Sequence, residues 1–211
     1  MKFYIIFIFL LFQACTFDFT IGKWEDGIIP YYLKGEFSSQ DEQNISDAMR
    51  CWESVCGVKF VKVSPRSSAY AIIRVSAQEW QSSIGENNSQ CRMIFGRSYS
   101  DISVIVHELG HCLGLVHEHQ RPDRDLYVNI IWNNILTGKD YNFDLIDNPL
   151  YIEQKFEYDY LSIMHYDKTA FSINGSPTIV SKTANQIDPS EEITDLDAAR
   201  AREIYGPPFI D

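Results

Sequence analysis

Apolar and polar positions in the first quarter of the chain predict a strand followed by an amphipathic helix. Residues 27–33 (GIIPYYL) are a mostly apolar run, and Pro30 within it favours an edge strand because proline has no backbone N–H to donate. Ser39 and Glu42 have the spacing of a capping box, which predicts that a helix begins there. The apolar positions of this helix recur every three or four residues and are Ile45, Met49, Trp52 and Cys56.

The rest of the chain divides into a strand-rich part and a loop-rich part around one central helix. Three further β-rich runs lie at 57–63, 70–77 and 92–97. The central helix is predicted to be capped by Asp101 and to end at Gly114. Loop-like sequence follows, with one strand-like run at 177–182 and a last helix from Thr194 to Gly206. This order predicts an α+β domain with two lobes and a cleft between them.

Composition limits the class of protein. A chain of 211 residues with 45% hydrophobic residues suits one globular domain. Acidic residues outnumber basic ones by 29 to 18, and the net charge of −11 argues against binding to a phosphate backbone. We therefore expect a solvated acidic surface and no nucleic-acid partner. We also expect a monomer.

The first residues have the pattern of an export signal. An apolar run at 3–12 precedes a small residue, Ala14. The run is shorter than the roughly 20 residues that a membrane-spanning helix needs, so 1–14 is predicted to be a signal peptide and 15–211 the exported domain. The alternatives are a buried N-terminal strand or, because FQAC loosely resembles a lipobox, a lipid anchor at Cys15. A cleaved signal predicts a secreted protein, whereas a lipid anchor predicts a cell-envelope protein.

The other cysteines do not define a disulfide framework. Four of them follow Cys15, and four cysteines allow three pairings. Cys51 and Cys56 lie on one predicted helix, where a rise of five residues separates them by about 7.5 Å. That separation is too large for an unstrained disulfide. Cys112 directly follows a histidine on an apolar helix and is predicted to be a buried free thiol.

Four of the five histidines fall within residues 104–128 (VIVHELGHCLGLVHEHQRPDRDLYV). His107 and His111 are four residues apart, and four residues of α-helix turn by about 400°, so both imidazoles project from one face. One metal ion can therefore bind a nitrogen from each. Glu108 completes H-E-x-x-H, the pattern in which two histidines hold zinc and the glutamate acts as a general base.

Gly114 predicts how a third ligand reaches the metal. Glycine permits a positive φ, so the helix can end and the chain can reverse, which brings His117 toward the other two histidines. Three protein ligands leave a fourth position for water, as in catalytic rather than structural zinc sites. No pair of cysteines has zinc-finger spacing. The alternative is that the histidines only pack in the core, and it would leave several imidazoles in need of buried partners.

The full pattern H-E-x-x-H-x-x-G-x-x-H, followed by Glu118, is similar to the signature of the astacin family of metzincins. SIMHY (162–166) resembles the family's Met-turn, and KWEDGIIPYYL and DAMRCWESVCGVKF resemble its mature N-terminal region and first helix. The resemblance runs from about Trp24 to Gly206. It implies a metzincin-type two-lobed zinc-peptidase domain, with a mixed β-sheet and the active-site helix in the N-terminal lobe and a loop-rich C-terminal lobe.

The resemblance also implies roles. It predicts a secreted zinc endopeptidase that binds one Zn²⁺ per chain and cleaves proteins or peptides, with Glu108 as the general base toward a zinc-bound water. Met164 would form an apolar floor beneath the metal, and Tyr166 would be a switchable metal ligand that also stabilises an oxyanion. His119 and His165 are expected outside the ligand set. A catalytically silent adhesion or recognition module on the same fold is the alternative. A structural ion-pair cluster is predicted from Arg121, Asp123, Arg124 and Asp125.

Two features of the family are missing from the sequence. Cys56 and Cys91 each match one partner of a family disulfide, but the second partners are absent. The stretch between Cys15 and Trp24 is too short for a propeptide. In the family, the N-terminal amine freed by propeptide removal pairs with the glutamate after the third histidine. We therefore expect cleavage near Cys15 to free an amine for Glu118, which acylation of Cys15 would prevent.

Overall fold

The computed structural model describes residues 22–64, 70–75, 81–82, 90–95, 102–146 and 155–210. The predicted signal peptide at 1–14, Cys15 and the predicted helix cap Asp101 lie outside these residues. No helix within the described ranges has the length and apolar character needed to cross a membrane.

Seven strands and three α-helices lie within the described residues. In chain order they are β1 (Ile28–Lys34), α1 (Ser39–Val55), β2 (Lys59–Lys62), β3 (Tyr70–Val75), β4 (Gln81–Ser82), β5 (Gln90–Phe95), α2 (Ile102–Cys112), β6 (Val128–Ile130), β7 (Ile179–Ser181) and α3 (Asp195–Tyr205). Short 3₁₀ helices precede β6 at Glu118–Gln120 and Arg124–Leu126 and follow it at Trp132–Asn134 and Asp140–Phe143.

The five N-terminal strands form one mixed sheet in the order β2-β1-β3-β5-β4. All pairs are parallel except β4 with β5, so the predicted mixed sheet is confirmed. The prediction of an edge strand from Pro30 is wrong, because β1 has neighbours on both sides. The pairing of β1 with β3 begins at Tyr31, which is opposite Ala71. Pro30 lies one residue before this pairing begins, so it needs no N–H to bond with β3.

The predicted apolar face of α1 is confirmed, since Ile45, Met49, Trp52 and Cys56 are all buried. The capping box lies one residue earlier than predicted. Asp41 N donates to Ser38 Oγ at 3.2 Å, and Ser38 N donates to Asp41 Oδ2 at 2.8 Å. Ser38–Asp41 and Ser39–Glu42 have the same spacing, so the pattern did not distinguish them.

The described residues contain two hydrophobic clusters, and the first includes Met164 and Ile204 of the C-terminal half as well as the N-terminal sheet and helices. The first packs α1, α2 and the sheet around buried residues such as Trp52, Leu109 and Met164. The second surrounds the β6–β7 pair and includes Val128, Phe143 and Ile179. Helix α3 begins after Thr194 and is followed by Gly206 with φ 79°, which confirms both predicted ends.

Candidate metal centre

Helix α2 and the turn after it bring three histidines together. His107 and His111 lie one turn apart on α2. Gly114 has φ 99°, and its N–H donates to His111 O at 2.8 Å, which closes the helix end. The chain then reverses, and Glu118 N donates to Met164 O at 3.0 Å. His117 thereby returns to the face of α2 that carries the other two imidazoles.

The three imidazoles converge through their Nε2 atoms. His117 Nε2 lies 3.2 Å from His107 Nε2 and 3.1 Å from His111 Nε2. Each Nδ1 faces an acceptor instead: Ile163 O at 2.6 Å, Leu115 O at 2.8 Å and Gln120 Oε1 at 2.8 Å. Each Nδ1 is therefore the protonated nitrogen, and each Nε2 carries a lone pair.

Three facing lone pairs repel one another unless a cation lies among them. The donor set of three neutral imidazole nitrogens suits Zn²⁺, and its atoms all lie within 4.8 Å of one another. Burial lowers the pKa of His107 and His117, and it lowers that of His111 to about 3. The site therefore keeps its imidazoles neutral, which is the form that binds metal.

One carboxylate oxygen of Glu108 is available to accept a hydrogen bond. Its side chain is buried, and Oε2 has no hydrogen-bond partner among the described residues. Burial raises the pKa of this carboxyl to about 8. A cation held by the neighbouring histidines would favour the charged form and so oppose this shift. An unpartnered buried carboxylate is costly, and a water or substrate beside the metal would satisfy it.

Met164 fills the space that the absent side chain of Gly110 leaves beneath α2. A Cβ placed on Gly110 would lie 2.6 Å from Met164 Sδ. Met164 is 2% exposed. The thioether is therefore in van der Waals contact with the helix segment between His107 and His111.

Tyr166 lies beside the third histidine in an aromatic cluster. Its ring centroid is 4.4 Å from that of His117 and 4.2 Å from that of His119, on which it stacks. Phe143 and Phe171 pack on the same ring. Burial, with a contribution from the charge of Glu108, raises the pKa of the Tyr166 phenol to about 12. The phenol is thus a hydrogen-bond donor at neutral pH.

The other two histidines lie outside the converging set, as expected. His119 Nε2 donates to Asn142 O at 3.1 Å. His165 Nδ1 donates to Tyr166 O at 2.6 Å, and Tyr158 Oη donates to His165 Nε2 at 2.7 Å. His165 thus links the backbone of Tyr166 to the phenol of the buried Tyr158.

Glu118 is the centre of a buried ion-pair cluster. Its Oε1 accepts from Arg121 Nη1 at 2.8 Å, from Arg200 Nη2 at 2.8 Å and from Asp159 N at 2.7 Å. Arg121 also makes a two-pronged contact with Asp123, whereas Arg124 pairs separately with the exposed Asp125. The four predicted residues therefore form two pairs and not one cluster, and Glu118 and Arg200 were absent from the prediction. The amine that we expected to reach Glu118 lies outside the described residues.

Three supporting residues were not among the predicted site residues, and for two of them, Asp197 and Arg200, the partners are remote in the chain. Gln120 accepts from His117, and Arg200 pairs with Glu118 across 82 positions. Asp197 accepts from Ser162 Oγ and Ile163 N. One signal was available, since Thr194 and Asp197 form a capping box at the start of α3. That signal indicates a helix start, and it says nothing of the Met-turn residues.

Comparisons with known proteins agree with this geometry. The family model described as Astacin, a peptidase family, matches residues 18–206. The chain is 35% identical to zinc metalloproteinase nas-6 of Caenorhabditis elegans over 185 residues, which is 86% of this chain and 53% of that protein. It is 36% identical to bone morphogenetic protein 1 of Xenopus laevis over 190 residues, which is 86% of this chain and 27% of that protein. The chain therefore spans about half or less of these relatives.

Solved structures also resemble the chain. High choriolytic enzyme 1, a hatching enzyme zinc-protease from the medaka fish Oryzias latipes, superposes with a TM-score of 0.77 at 31% identity, over 88% of this chain and 94% of that one. A structure of myroilysin superposes with a TM-score of 0.61 at 21% identity, over 87% of this chain and 95% of that one. The second similarity supports the fold alone.

Proposed function

The chain belongs to the astacin family of zinc metallopeptidases, and from that premise we propose that it is a secreted endopeptidase of protein or peptide substrates. His107, His111 and His117 hold one Zn²⁺. Glu108 is the general base, and Tyr166 is a switchable ligand and oxyanion donor. The observation that carries this proposal is the convergence of three Nε2 lone pairs beside the buried, unpartnered Oε2 of Glu108.

The bound metal supplies Lewis acidity, which favours loss of a proton from water and polarises a carbonyl group. Oε2 of Glu108 takes that proton and returns it to the leaving amine, so the same carboxylate acts as base and then as acid. Burial raises the pKa of this carboxyl and a neighbouring cation opposes that shift, and the two opposed effects suit a group that must both take up and release a proton. The water attacks the carbonyl directly, so the reaction forms no covalent enzyme intermediate.

Tyr166 supplies a hydrogen bond to the oxyanion that develops on the carbonyl. Its phenol stays protonated at neutral pH because burial raises its pKa to about 12. A donor aimed at developing charge in a dry site contributes more than the same group in water. The Tyr166 ring also contacts the His117 ring. This contact supports a second role for Tyr166, as a metal ligand when no substrate is bound.

Export of the protein is supported by the apolar run at residues 3–12 and the small residue that follows it. The mass of the N-terminal peptide of the exported chain tests this part of the proposal. A free N-terminus near Cys15 would agree with secretion. Acylated Cys15 would instead make the protein a lipid-anchored enzyme of the cell envelope.

The central experiment compares the chain with its Glu108→Gln variant, which keeps the size of the side chain and removes the base. Glu36→Gln, at an exposed position, is the matched control. All three proteins are loaded with zinc to equal content and incubated with an unfolded protein substrate. We expect cleavage by the parent and the control, and a loss of at least about 10²-fold in the Glu108 variant.

Two other results would count against the proposal. Equal cleavage by the Glu108→Gln variant would exclude this residue as the base. Zinc binding without cleavage by the parent chain would favour a recognition module built on the peptidase fold.

A further inference from the structure

Beneath His107, a continuous chain of hydrogen bonds leads from the imidazole to a buried carboxylate on the last helix. His107 Nδ1 donates to Ile163 O at 2.6 Å. The same peptide group donates through Met164 N to Ser162 Oγ at 2.9 Å. Ser162 Oγ then donates to Asp197 Oδ1 at 2.6 Å. Every donor in this series points toward the carboxylate.

The carboxylate that ends the chain is firmly held. Ser162 and Asp197 are both 0% exposed. Asp197 Oδ2 accepts from Ile163 N at 3.0 Å and from Thr194 N at 3.2 Å. The capping box of α3 therefore fixes the acid in place, and the acid in turn holds the N–H of Ile163, the residue whose carbonyl accepts from His107 Nδ1.

We propose that Asp197 and Ser162 form a positioning relay that polarises His107 and so strengthens its hold on the metal. Hydrogen bonds in series strengthen one another in a low-dielectric interior, and the 2.6 Å bond between Ser162 Oγ and Asp197 Oδ1 has the length of a charge-assisted one. Asp197 Oδ1 also forms a buried ion pair with Arg200 Nη1 at 3.5 Å. Through the relay, the carboxylate draws the Nδ1 proton of His107 toward Ile163 O and makes Nε2 a better donor to a cation. A carboxylate in direct contact with a ligand histidine has this effect; here a peptide and a hydroxyl lie between them.

The relay distinguishes His107 from the other two proposed ligands. His111 Nδ1 donates to Leu115 O, and His117 Nδ1 donates to the neutral side chain of Gln120. Within the described part of the chain, no hydrogen bond joins either of these acceptors to a carboxylate. Loss of the relay should therefore change one imidazole selectively and leave its two neighbours as they were.

The inference rests on zinc binding as proposed above, and Ser162→Ala is its principal test. The variant removes the hydroxyl that joins the peptide to the acid. Asp197→Asn removes the charge and keeps the shape, and Asp41→Asn makes the same change at the same position of the capping box of α1, remote from the metal centre. The affinity of each full-length chain for zinc is measured by competition with a chelator, and the Nδ1–H resonances of the zinc-loaded chains are measured by NMR with ¹⁵N-labelled histidine.

We expect the dissociation constant for zinc to rise by about tenfold in Ser162→Ala and in Asp197→Asn, with no change in Asp41→Asn. The Nδ1–H resonance of His107 should move upfield while those of His111 and His117 stay in place. Zinc affinities equal to that of Asp41→Asn would overturn the relay alone, and so would a shift of all three resonances together, which indicates general loosening. A parent chain without zinc affinity would overturn both the relay and the proposed function.

Discussion

Arg200 of α3 donates a hydrogen bond to Glu118 Oε1 at 2.8 Å, although the two residues are 82 positions apart. Their side chains are 3% and 2% exposed. Glu118 directly follows the third histidine of the metal centre, so this ion pair ties the last helix to the loop that carries His117. A buried pair is costly to break because the remaining charge loses its partner in a low-dielectric interior.

Replacement of Arg200 by methionine is therefore predicted to lower the free energy of unfolding by about 3 kcal/mol. Urea denaturation of the metal-free chain measures this quantity. Arg50→Met is the matched control, since Arg50 pairs with Asp47 at the surface and its loss should cost no more than about 1 kcal/mol. An equal loss of unfolding free energy in the two variants would show that the buried ion pair contributes no more to stability than the surface pair.

Gln120 is predicted to set the affinity of His117 for zinc. Its Oε1 accepts from His117 Nδ1 at 2.8 Å and fixes the orientation of the ring. Gln120→Met removes the acceptor at similar size and should raise the dissociation constant for zinc by about 10- to 100-fold. Gln120→Glu keeps the acceptor and adds charge, so it should bind zinc at least as tightly as the parent.

Gln43→Met is the control for these two variants, because Gln43 is exposed and its amide donates to Asp47, remote from the histidines. Chelator competition measures all four chains. If Gln120→Met held zinc as tightly as Gln43→Met, the hydrogen bond to His117 would have no part in metal binding.

Gly110 is predicted to tolerate no side chain, although it lies inside a helix. Alanine in an open helix is more stable than glycine by about 1 kcal/mol. Here the added Cβ would lie 2.6 Å from Met164 Sδ and 3.1 Å from Trp52 Cζ2. Gly110→Ala should therefore destabilise the chain by about 1–3 kcal/mol and weaken zinc binding, as thermal unfolding and chelator competition would report. A stability gain would mean that Met164 moves aside freely and does not support the centre.

Tyr166→Phe is predicted to separate catalysis from binding. The variant keeps the ring that packs on His119 and removes the hydroxyl. We expect kcat to fall by about 10²-fold or more while KM and zinc content change little, because the lost hydrogen bond acts on the transition state. Tyr141→Phe, at an exposed ring, is the control. A rise in KM alone would assign Tyr166 to substrate binding.

The sequence predicted those parts of the centre that depend on local geometry. The spacing of His107 and His111 placed them on one helix face, and Gly114 adopts the positive φ that the turn required. The aromatic and apolar periodicity of α1 likewise predicted its buried face. In each case the residues that matter lie within about ten positions of one another, where helix and turn geometry leave few alternatives.

The supporting residues were not predictable in the same way. In the sequence, Asp197 and Arg200 have the pattern of ordinary polar positions of a terminal helix. Nothing near them in the sequence indicates that α3 packs against the Met-turn. The prediction from Pro30 was wrong because its local preference for an edge strand does not reveal that β3 pairs with β1 only from Tyr31 onward. Such contacts depend on which elements meet in space, and local sequence patterns do not indicate this.

X-ray absorption at the zinc edge of the loaded chain tests the central claim most directly, namely that three imidazoles hold the metal. We predict nitrogen and oxygen neighbours at about 2.0–2.1 Å, with the outer-shell pattern of three histidines and no sulfur. The His117→Ala variant should lose one imidazole from that pattern. A sulfur neighbour at about 2.3 Å, or an unchanged spectrum in His117→Ala, would contradict the account.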